Sequence, residues 1–304
     1  EEGPRRAAAI LILCPERAYE PPVLREGGRA AGIAVSLYGM RSLRNWGCGD
    51  FTDLRDFVDW AWQHAGAGFV ALNPLHAIAN RQPFNTSPYL PDSSLYRNAL
   101  YLDVERVAGF AGSKQARALL SDKEMQAELE ALRTSEFVEY ERIWALKLRC
   151  LKSAFVCYLK SYRQNRDTGP LGTFVEAEGP LLDTYAVHCA LDEWIHRRHP
   201  EVWTWREWPE AFQDPGSLPV EEFSRRHPVR VLFYKFLQWQ VDEQLAEVQR
   251  HALARGMAIG LYHDLALATD RCGADLWAHR EHYVSGCRVG APPDDFAPQG
   301  QDWA

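Results

Sequence analysis

The sequence predicts an α/β fold: a partial (β/α)8 TIM barrel, comprising about its first three strands, with a mostly helical inserted subdomain. Two observations favour this fold class. Over residues 32–75, two short apolar segments flank an amphipathic one, as buried parallel strands flank a helix. Helical periodicity then dominates residues 109–220, before a third short apolar segment at 257–262.

The first two strands and the helix between them are predicted over residues 32–75. Segments 32–38 and 69–75 are short and mostly apolar, which is typical of parallel strands buried on both faces. Asp50 can accept from the free N–H groups of a first helical turn, and Gly66 can end that helix. The apolar face of the helix is formed by Phe51, Leu54, Phe57, Val58, Ala61 and Ala65. Strand, helix and strand with short connections predict a right-handed βαβ unit.

The inserted region is predicted to be helical, and a long helix leads from it to the third strand. Apolar stripes mark one helix over 144–158 and another over 182–189, whereas the tryptophans at 203–208 lie between prolines and indicate a loop. Pro228 begins the long helix and Gly256 ends it. A further short strand is predicted at 100–104.

This pattern divides the chain into three predicted parts. Residues 1–29 are predicted to hold the end of an N-terminal β module, with the apolar run at 7–14 as a strand, and a connector. Residues 30–108 and 221–304 are predicted to form the first part of the barrel. Residues 109–220 are predicted to form the helical insertion subdomain.

Composition excludes some classes of function. The net charge is −7 and the pI is about 5.8, which argues against nucleic acid and gives no reason to expect binding to anionic membrane. No run approaches the roughly 20 apolar residues that span a bilayer. The seven cysteines form no Cys-x-x-Cys, which indicates reduced thiols and a cytoplasmic protein.

Aromatic and acidic residues follow the ends of predicted strands, where (β/α)8 barrels place their active sites. Tyr89 ends a Ser-Pro-Tyr sequence after the second strand, and Asp264 follows His263 after the third. Each has a plain alternative: Tyr89 can pack within a Pro-stiffened turn, and Asp264 can form a structural salt bridge. We interpret His263 as a structural histidine, and Asp270 and Asp275 as solvated or helix-capping acids.

Several segments resemble the 4-α-glucanotransferases of the amylomaltase family. They are Ser-Pro-Tyr at 87–89, Gly-Ala-Pro-Pro-Asp at 290–294 and Gly-Gln-x-Trp at 300–303. Residues 44–50 also fit the family pattern, with Cys48 where a small aliphatic residue is more usual. The resemblance extends over nearly the whole chain and is weakest in the helical insertion.

This resemblance implies a role for five residues in binding substrate. Tyr89 would stack on the glucose ring at the cleavage point, and Asp264 would be a supporting or substrate-binding acid. Asp294 and Gln301 would hydrogen-bond sugar hydroxyls from a loop that overhangs the substrate groove. Trp303 would form a stacking platform for the acceptor. The alternative for Asp294 is an ordinary surface turn.

The resemblance also implies a reaction, in which α-1,4-glucan segments move between maltooligosaccharides through a covalent glycosyl-enzyme with retention of configuration. The family's nucleophilic Asp lies in a Gly-Phe-Arg-x-Asp-His strand, with an acid/base Glu on the next strand and a third Asp later. None of these motifs occurs in residues 1–304. We therefore expect no catalytic residue here and an inactive chain that is part of a longer protein.

The expected partner is a maltooligosaccharide or α-glucan, with no metal or organic cofactor, no nucleic acid and no membrane; the oligomeric state stays open. Two alternatives remain. An α-amylase-type hydrolase on the same barrel would release glucose without longer oligosaccharides. A non-catalytic glucan-binding protein would keep the cleft without the acids.

Overall fold

The computed structural model describes residues 11–81, 85–165, 169–284, 286–287 and 289–303. The helices in these ranges are α1 (Phe51–Ala65), α2 (Lys114–Leu120), α3 (Lys123–Thr134), α4 (Tyr140–Asn165), α5 (Pro170–His196), α6 (Glu210–Gln213), α7 (Leu218–Arg226), α8 (Pro228–Arg255) and α9 (Ala274–Ala278). The strands are β1 (Gly32–Val35), β2 (Phe69–Leu72), β3 (His76–Ala77), β4 (Ser93–Arg97), β5 (Gly260–His263), β6 (Val289–Ala291) and β7 (Gln301–Trp303).

Three of these strands form a parallel sheet in the order β1-β2-β5. The register places Ala34 beside Ala71 and Ala71 beside Tyr262. The sheet confirms the predicted parallel strands, although each is shorter than its apolar segment in the sequence. Two antiparallel pairs accompany it: β3 pairs with β4, and β6 pairs with β7.

Helix α1 begins and ends as predicted. The Asp50 carboxylate accepts from the amides of Thr52 and Asp53, and the Asp53 side chain accepts from the Asp50 amide, which completes a capping box. Gly66 ends the helix with φ of 60°, the left-handed conformation that favours glycine. The chain can therefore turn directly into β2, which fixes α1 against the sheet.

Among the described residues, helices cover one face of the sheet and leave the other open. Val70 and Leu72 of β2 are buried in the main hydrophobic cluster together with Leu54 and Val58 of α1 and residues of α8. On the other face, Ala34 of β1 is exposed and Tyr262 of β5 is 60% exposed. The packing follows from the period of two along each strand, which sends alternate side chains to opposite faces.

The region between β4 and β5 is helical, as predicted. Helix α4 packs into the main cluster, and α5 packs along α8. Inside α5, Gly179 has φ of 63° and precedes Pro180, so that two helical segments join at a kink. A second hydrophobic cluster contains Trp205, Trp208 and Trp277, which connects the insertion to α9.

Three predictions of local structure need correction. Residues 100–104 form no strand: short 3-10 turns lie at Ala99–Tyr101 and Val104–Arg106, because the side chains of Asn98 and Asp103 accept from the amides two residues on and cap a turn instead. Residues 11–14 of the predicted N-terminal strand are exposed and unpaired, while 7–10 lie outside the described residues. The predicted loop at 203–208 contains a short 3-10 turn with buried tryptophans.

None of the helices in the described ranges is long and apolar enough to cross a membrane.

Candidate functional site

The carboxyl ends of β1, β2 and β5 lie side by side, and aromatic and acidic side chains meet there. Tyr38 follows β1, Tyr89 lies in the connection after β2, and Asp264 follows β5 directly. Both the Asp264 carboxylate and Tyr38 are close enough to act on the Tyr89 hydroxyl electrostatically. The parallel order of the strands explains this convergence, since their carboxyl ends share one edge of the sheet.

Tyr89 and Asp264 form the central contact of the site. The Tyr89 hydroxyl lies near the Asp264 carboxylate. Desolvation first, and then the charge and acceptor oxygens of Asp264, raise the pKa of Tyr89 above its usual value, so the phenol stays protonated. The ring itself is 57% exposed and Asp264 is half-buried. An apolar ring face therefore lies open to solvent beside an oriented carboxylate.

The connection that carries Tyr89 is held by a buried asparagine. The Asn85 amide nitrogen donates to the carbonyl of Leu90 at 2.7 Å and to the Asp270 carboxylate at 2.7 Å. Its carbonyl oxygen accepts from the amide of Ser87 at 3.1 Å. The two ends of the loop are thereby fixed, and Pro88 stiffens the turn between them.

A second asparagine ties the ends of β1 and β2 together. The Asn73 side-chain oxygen accepts from the amide of Leu37 at 2.9 Å, and its nitrogen lies 3.4 Å from the Tyr101 hydroxyl. Asn73 and Leu37 are both buried. This contact sets the position of Tyr38 relative to the Tyr89 connection.

The remaining predicted site residues lie on the β6–β7 hairpin. Asp294 Oδ1 accepts from the amides of Phe296 and Ala297, at 2.9 and 2.6 Å, and so stabilises its own loop. Gln301 begins β7 opposite Ala291 and is exposed. The backbone of Trp303 pairs with Val289, while its side chain lies outside what the structure describes.

The structure brings Tyr89 and Asp264 together, whereas the hydrogen bonds of Asp294 stay within the hairpin. Within the described residues, no hydrogen bond or ion pair joins Asp294 or Gln301 to Tyr89 or Asp264. Sequence reasoning missed Phe296, which is 97% exposed at the tip of the hairpin. Its position two residues after the Pro-Pro-Asp sequence was the available signal.

Two acids near the site differ from their predicted roles. Asp275 was predicted to be solvated or to cap a helix, yet it is buried and accepts from the Ser94 amide at 2.7 Å and the Ser94 hydroxyl at 3.0 Å. Asp270 accepts from Asn85 and from the amide of Cys272 rather than facing solvent alone. Asn85 and Ser94, which bind Asp270 and Asp275 respectively, are distant in sequence, so a local pattern could not reveal these two contacts.

His263 ends β5 next to Asp264. Desolvation and the nearby Arg97 charge lower the pKa of His263, so the ring is neutral near neutral pH. His76 is buried, and its Nε2 accepts from the Ala266 amide at 3.4 Å. Burial first and Arg97 second lower the pKa of His76 as well, which keeps Nε2 free to accept. His76 is near enough to Asp264 to interact with its charge.

Neither the site nor the rest of the described chain offers a metal centre: the described residues contain no group of three or more His, Cys, Asp or Glu arranged to hold an ion. A cavity of about 880 Å³ lies between α4 and α5; Asp92 and Asp270 line it and Tyr89 does not. Its wall includes Trp144, the Arg81–Asp192 ion pair and His188.

Comparisons with known proteins identify the family. The sequence model of the family described as 4-alpha-glucanotransferase matches residues 35–304. The chain is 36% identical over 312 residues to the 4-alpha-glucanotransferase of Mycobacterium tuberculosis, which covers 99% of this chain and 41% of that protein. It is 32% identical over 298 residues to the enzyme of that name from Haemophilus influenzae, covering 96% of this chain and 42% of the other.

Solved structures give the same result. The crystal structure of amylomaltase from Corynebacterium glutamicum matches with a TM-score of 0.69 and 31% identity, over 90% of this chain and 36% of that one. Amylomaltase from Streptococcus agalactiae in complex with acarbose also has a TM-score of 0.69, over 90% of this chain and 52% of that one; at 19% identity this similarity shows the fold alone.

The described part of the chain is an α/β protein whose candidate site lies at the carboxyl ends of its parallel strands. The chain belongs to the 4-α-glucanotransferase (amylomaltase) family, as the resemblance of its motifs predicted. It spans about two fifths of the length of the M. tuberculosis and H. influenzae relatives.

Proposed function

We propose that the protein is a 4-α-glucanotransferase that moves α-1,4-glucan segments between maltooligosaccharides, and that this chain carries part of its donor site. One observation carries the proposal: in a chain of this family, the Tyr89 hydroxyl meets the Asp264 carboxylate where β2 and β5 end. A glucose ring can stack on the exposed face of Tyr89. Asp264 keeps acceptor capacity for a sugar hydroxyl after accepting from Tyr89.

We propose further that β1, β2 and β5 are the first three strands of a (β/α)8 barrel. Their parallel pairing and the helices on one face support this arrangement. The face left open carries the small residues Gly32, Ala34 and Ala71 beside the rings of Phe69 and Tyr262, a mixture that can fill a closed barrel interior. Residues 30–108 and 221–304 would then belong to the barrel, 109–220 to the helical insertion, and 1–29 to a preceding module and connector.

In the proposed reaction, a carboxylate attacks the anomeric carbon and a second carboxyl group protonates the leaving oxygen. The 4-hydroxyl of another glucan then resolves the covalent intermediate. We assign neither carboxylate to this chain, because the family motifs that hold them are missing from residues 1–304. Tyr89 and Asp264 would instead hold the reacting glucose, which lowers the barrier through orientation.

The β6–β7 hairpin is proposed to serve the acceptor. Asp294 and Gln301 would hydrogen-bond sugar hydroxyls, and Trp303 would offer a stacking platform that helps a glucan compete with water. Phe296 is exposed on the same hairpin and is available for the same purpose. We propose no cofactor for this chemistry and expect the protein to act in the cytoplasm.

The test is incubation of the protein, as its gene encodes it, with maltotriose. Transfer gives glucose and a ladder of longer maltooligosaccharides, separable by chromatography. Products limited to glucose and maltose would replace transfer with hydrolysis. Binding of maltotriose without any product would favour a non-catalytic glucan-binding protein.

A further inference from the structure

The loop that carries Tyr89 and the segment that carries Asp264 are joined by a set of hydrogen bonds with no assigned role. We call residues 85–92 the Tyr89 loop and residues 264–275 the Asp264 segment. Asp270 makes the first part of the contact between them. Its carboxylate accepts from the Asn85 side chain at 2.7 Å, and its amide donates to the Pro91 carbonyl at 2.8 Å.

The contact continues through Asp92 and Asp275. The amide of Ala274 donates to Asp92 Oδ1 at 3.1 Å, and the amide of Asp275 donates to the Asp92 carbonyl at 3.2 Å. The Asp275 carboxylate then accepts from both the amide and the hydroxyl of Ser94, directly after the loop. A Cβ added to Gly273 would lie 2.5 Å from the Asp92 carbonyl oxygen. The loop and the segment therefore approach each other so closely that a residue larger than glycine would clash at position 273.

Taken alone, the acidic side chains at this contact would lower the stability of the folded protein. Burial first, and then the charges of Asp192, Asp270 and Asp275, raise the pKa of Asp92 well above its usual value. Three acids within one small region repel each other and lose hydration. Neutral side chains could join the two segments at less cost, and an acid as strongly perturbed as Asp92 is more common at functional sites than elsewhere.

We propose that Asp270 and Asp275 are positioning residues of the glucan site, which fasten the Tyr89 loop to the Asp264 segment and so hold the Tyr89 hydroxyl against the Asp264 carboxylate. The effect of this pair on a glucan rests on the proposed function; the mechanical role of the two acids does not. Neither acid touches substrate in this scheme, since each acts through the loop.

The direct test follows the Tyr89 ring by ¹⁹F NMR in protein labelled with 3-fluorotyrosine, with the Tyr89 signal assigned by its loss in Tyr89→Phe. Asp264→Ala gives the position of that signal without the contact. Asp275→Ala and Asp270→Ala are expected to move the signal toward that position. Asp275→Asn should keep it near the wild-type position, because the Asn carbonyl can still accept from Ser94.

Two controls separate positioning from loss of folding. Glu281→Ala removes an exposed acid a few residues beyond the segment and should leave the Tyr89 signal unchanged. Asn85→Ala breaks the contact from the loop side and should reproduce the shift if the Asp270 variant is unstable. A Tyr89 signal that stays at the wild-type position in Asp275→Ala, Asp270→Ala and Asn85→Ala overturns the proposal.

Kinetics add a second, independent measurement. With maltotriose as donor, Asp275→Ala should lower kcat about 10-fold while KM changes much less, because orientation is lost and binding in the groove is kept. Asp275→Asn should recover most of the rate. In a Tyr89→Ala background, Asp275→Ala should have little further effect, because it acts through Tyr89.

The possible failures are distinguishable. A full loss from Asp275→Ala in the Tyr89→Ala background would show that Asp275 acts by another route and would overturn the positioning role. Wild-type protein without any transfer would overturn the proposed function, and the NMR signal would still decide whether the two acids position Tyr89.

Discussion

At the scale of single residues, we expect the largest loss of transfer activity from substitution of Tyr89. Tyr89→Ala removes both the ring face and the hydroxyl that meets Asp264. Loss of alignment of the reacting sugar should lower turnover with every donor, by as much as about 10²-fold. The measurement is the initial rate of transfer with maltotriose and longer maltooligosaccharides.

Tyr89→Phe is the matched comparison, since it keeps the ring and removes only the hydroxyl. It should lose less activity than Tyr89→Ala. Full activity in Tyr89→Ala would exclude this residue from the site, and equal losses in both variants would place the whole effect on the hydroxyl.

His188 gives a prediction about stability that is independent of catalysis. Its ring is buried between Trp208 and Trp277, with centroid distances of 5.2 and 5.3 Å, and neither ring nitrogen has a hydrogen-bond partner. Burial lowers the pKa of His188 from 6.5 to about 4. The folded protein therefore holds this ring neutral where the unfolded chain would protonate it.

The stability that comes from this neutral ring is fully present above pH 6.5 and is lost as the pH falls toward 4. His188→Phe should remove that dependence, because a phenyl ring fits between the two indoles without titrating. Between pH 7 and pH 5, wild type should lose about 2 kcal/mol more than the variant in urea unfolding. His199→Gln, which changes an exposed histidine, should follow wild type.

The sequence predicted Tyr89 and Asp264 as site residues because each follows a strand end and stands in a segment that resembles the family. It could not reveal that Asn85 donates to Asp270 or that Ser94 donates to Asp275, because these hydrogen bonds join residues about 180 positions apart. A buried acid and a solvated acid look alike in a sequence. Only the packing of the segment after β5 against β4 distinguishes them.

At the scale of elements, α1 shows how local chemistry fixes a helix start. Asp50 is buried, accepts from two amides of the first turn, and pairs with Arg44. Asp50→Ala should cost about 2 kcal/mol, the upper part of the usual range for a cap, because Arg44 also loses a partner. Urea unfolding measures the change.

Asp56→Ala is the control for that prediction. Asp56 is exposed on the same helix, and its removal should change the unfolding free energy by less than about 0.5 kcal/mol. A loss for Asp50→Ala no larger than for Asp56→Ala would mean that the capping box contributes little to the fold.

Elements with strong local signals were predicted well, and elements that depend on distant contacts were not. Helix α1 has a capping residue, an apolar face and a terminating glycine, and its observed bounds match the prediction. Residues 100–104 are apolar enough for a strand, yet two side-chain caps turn the backbone there. Strand lengths were overestimated because an apolar segment continues past the last residue that finds a pairing partner.

At the scale of the whole molecule, one face of the sheet is covered by helices and the other is open in the described part of the chain. Helices α1 and α8 cover one face and fix the strands, so the strand ends hold Tyr38, Tyr89 and Asp264 in place. The other face is free of cover in the described part of the chain. A rigid, half-covered sheet therefore presents both the candidate site and a large open surface.

The open face predicts the behaviour of the 304-residue chain produced by itself. Tyr262 is 60% exposed on β5, Ala34 is exposed on β1, and the outer edges of both strands have no partner among the described residues. Exposed apolar faces and unpaired strand edges favour association and loose packing. The chain should therefore bind the dye ANS strongly, self-associate with rising concentration and show no transfer of glucan.

Matched substitutions locate the cause of that behaviour. Tyr262→Thr keeps β-propensity and removes the largest apolar side chain from the open face, so it should reduce both ANS fluorescence and self-association in analytical ultracentrifugation. Leu218→Thr removes an equally exposed side chain, 66% accessible, from helix α7 on a different surface and should change neither. A monodisperse chain that does not bind ANS and unfolds in one sharp transition would show that the sheet needs no further cover. Glucan transfer by that chain would show that residues 1–304 hold the catalytic carboxylates.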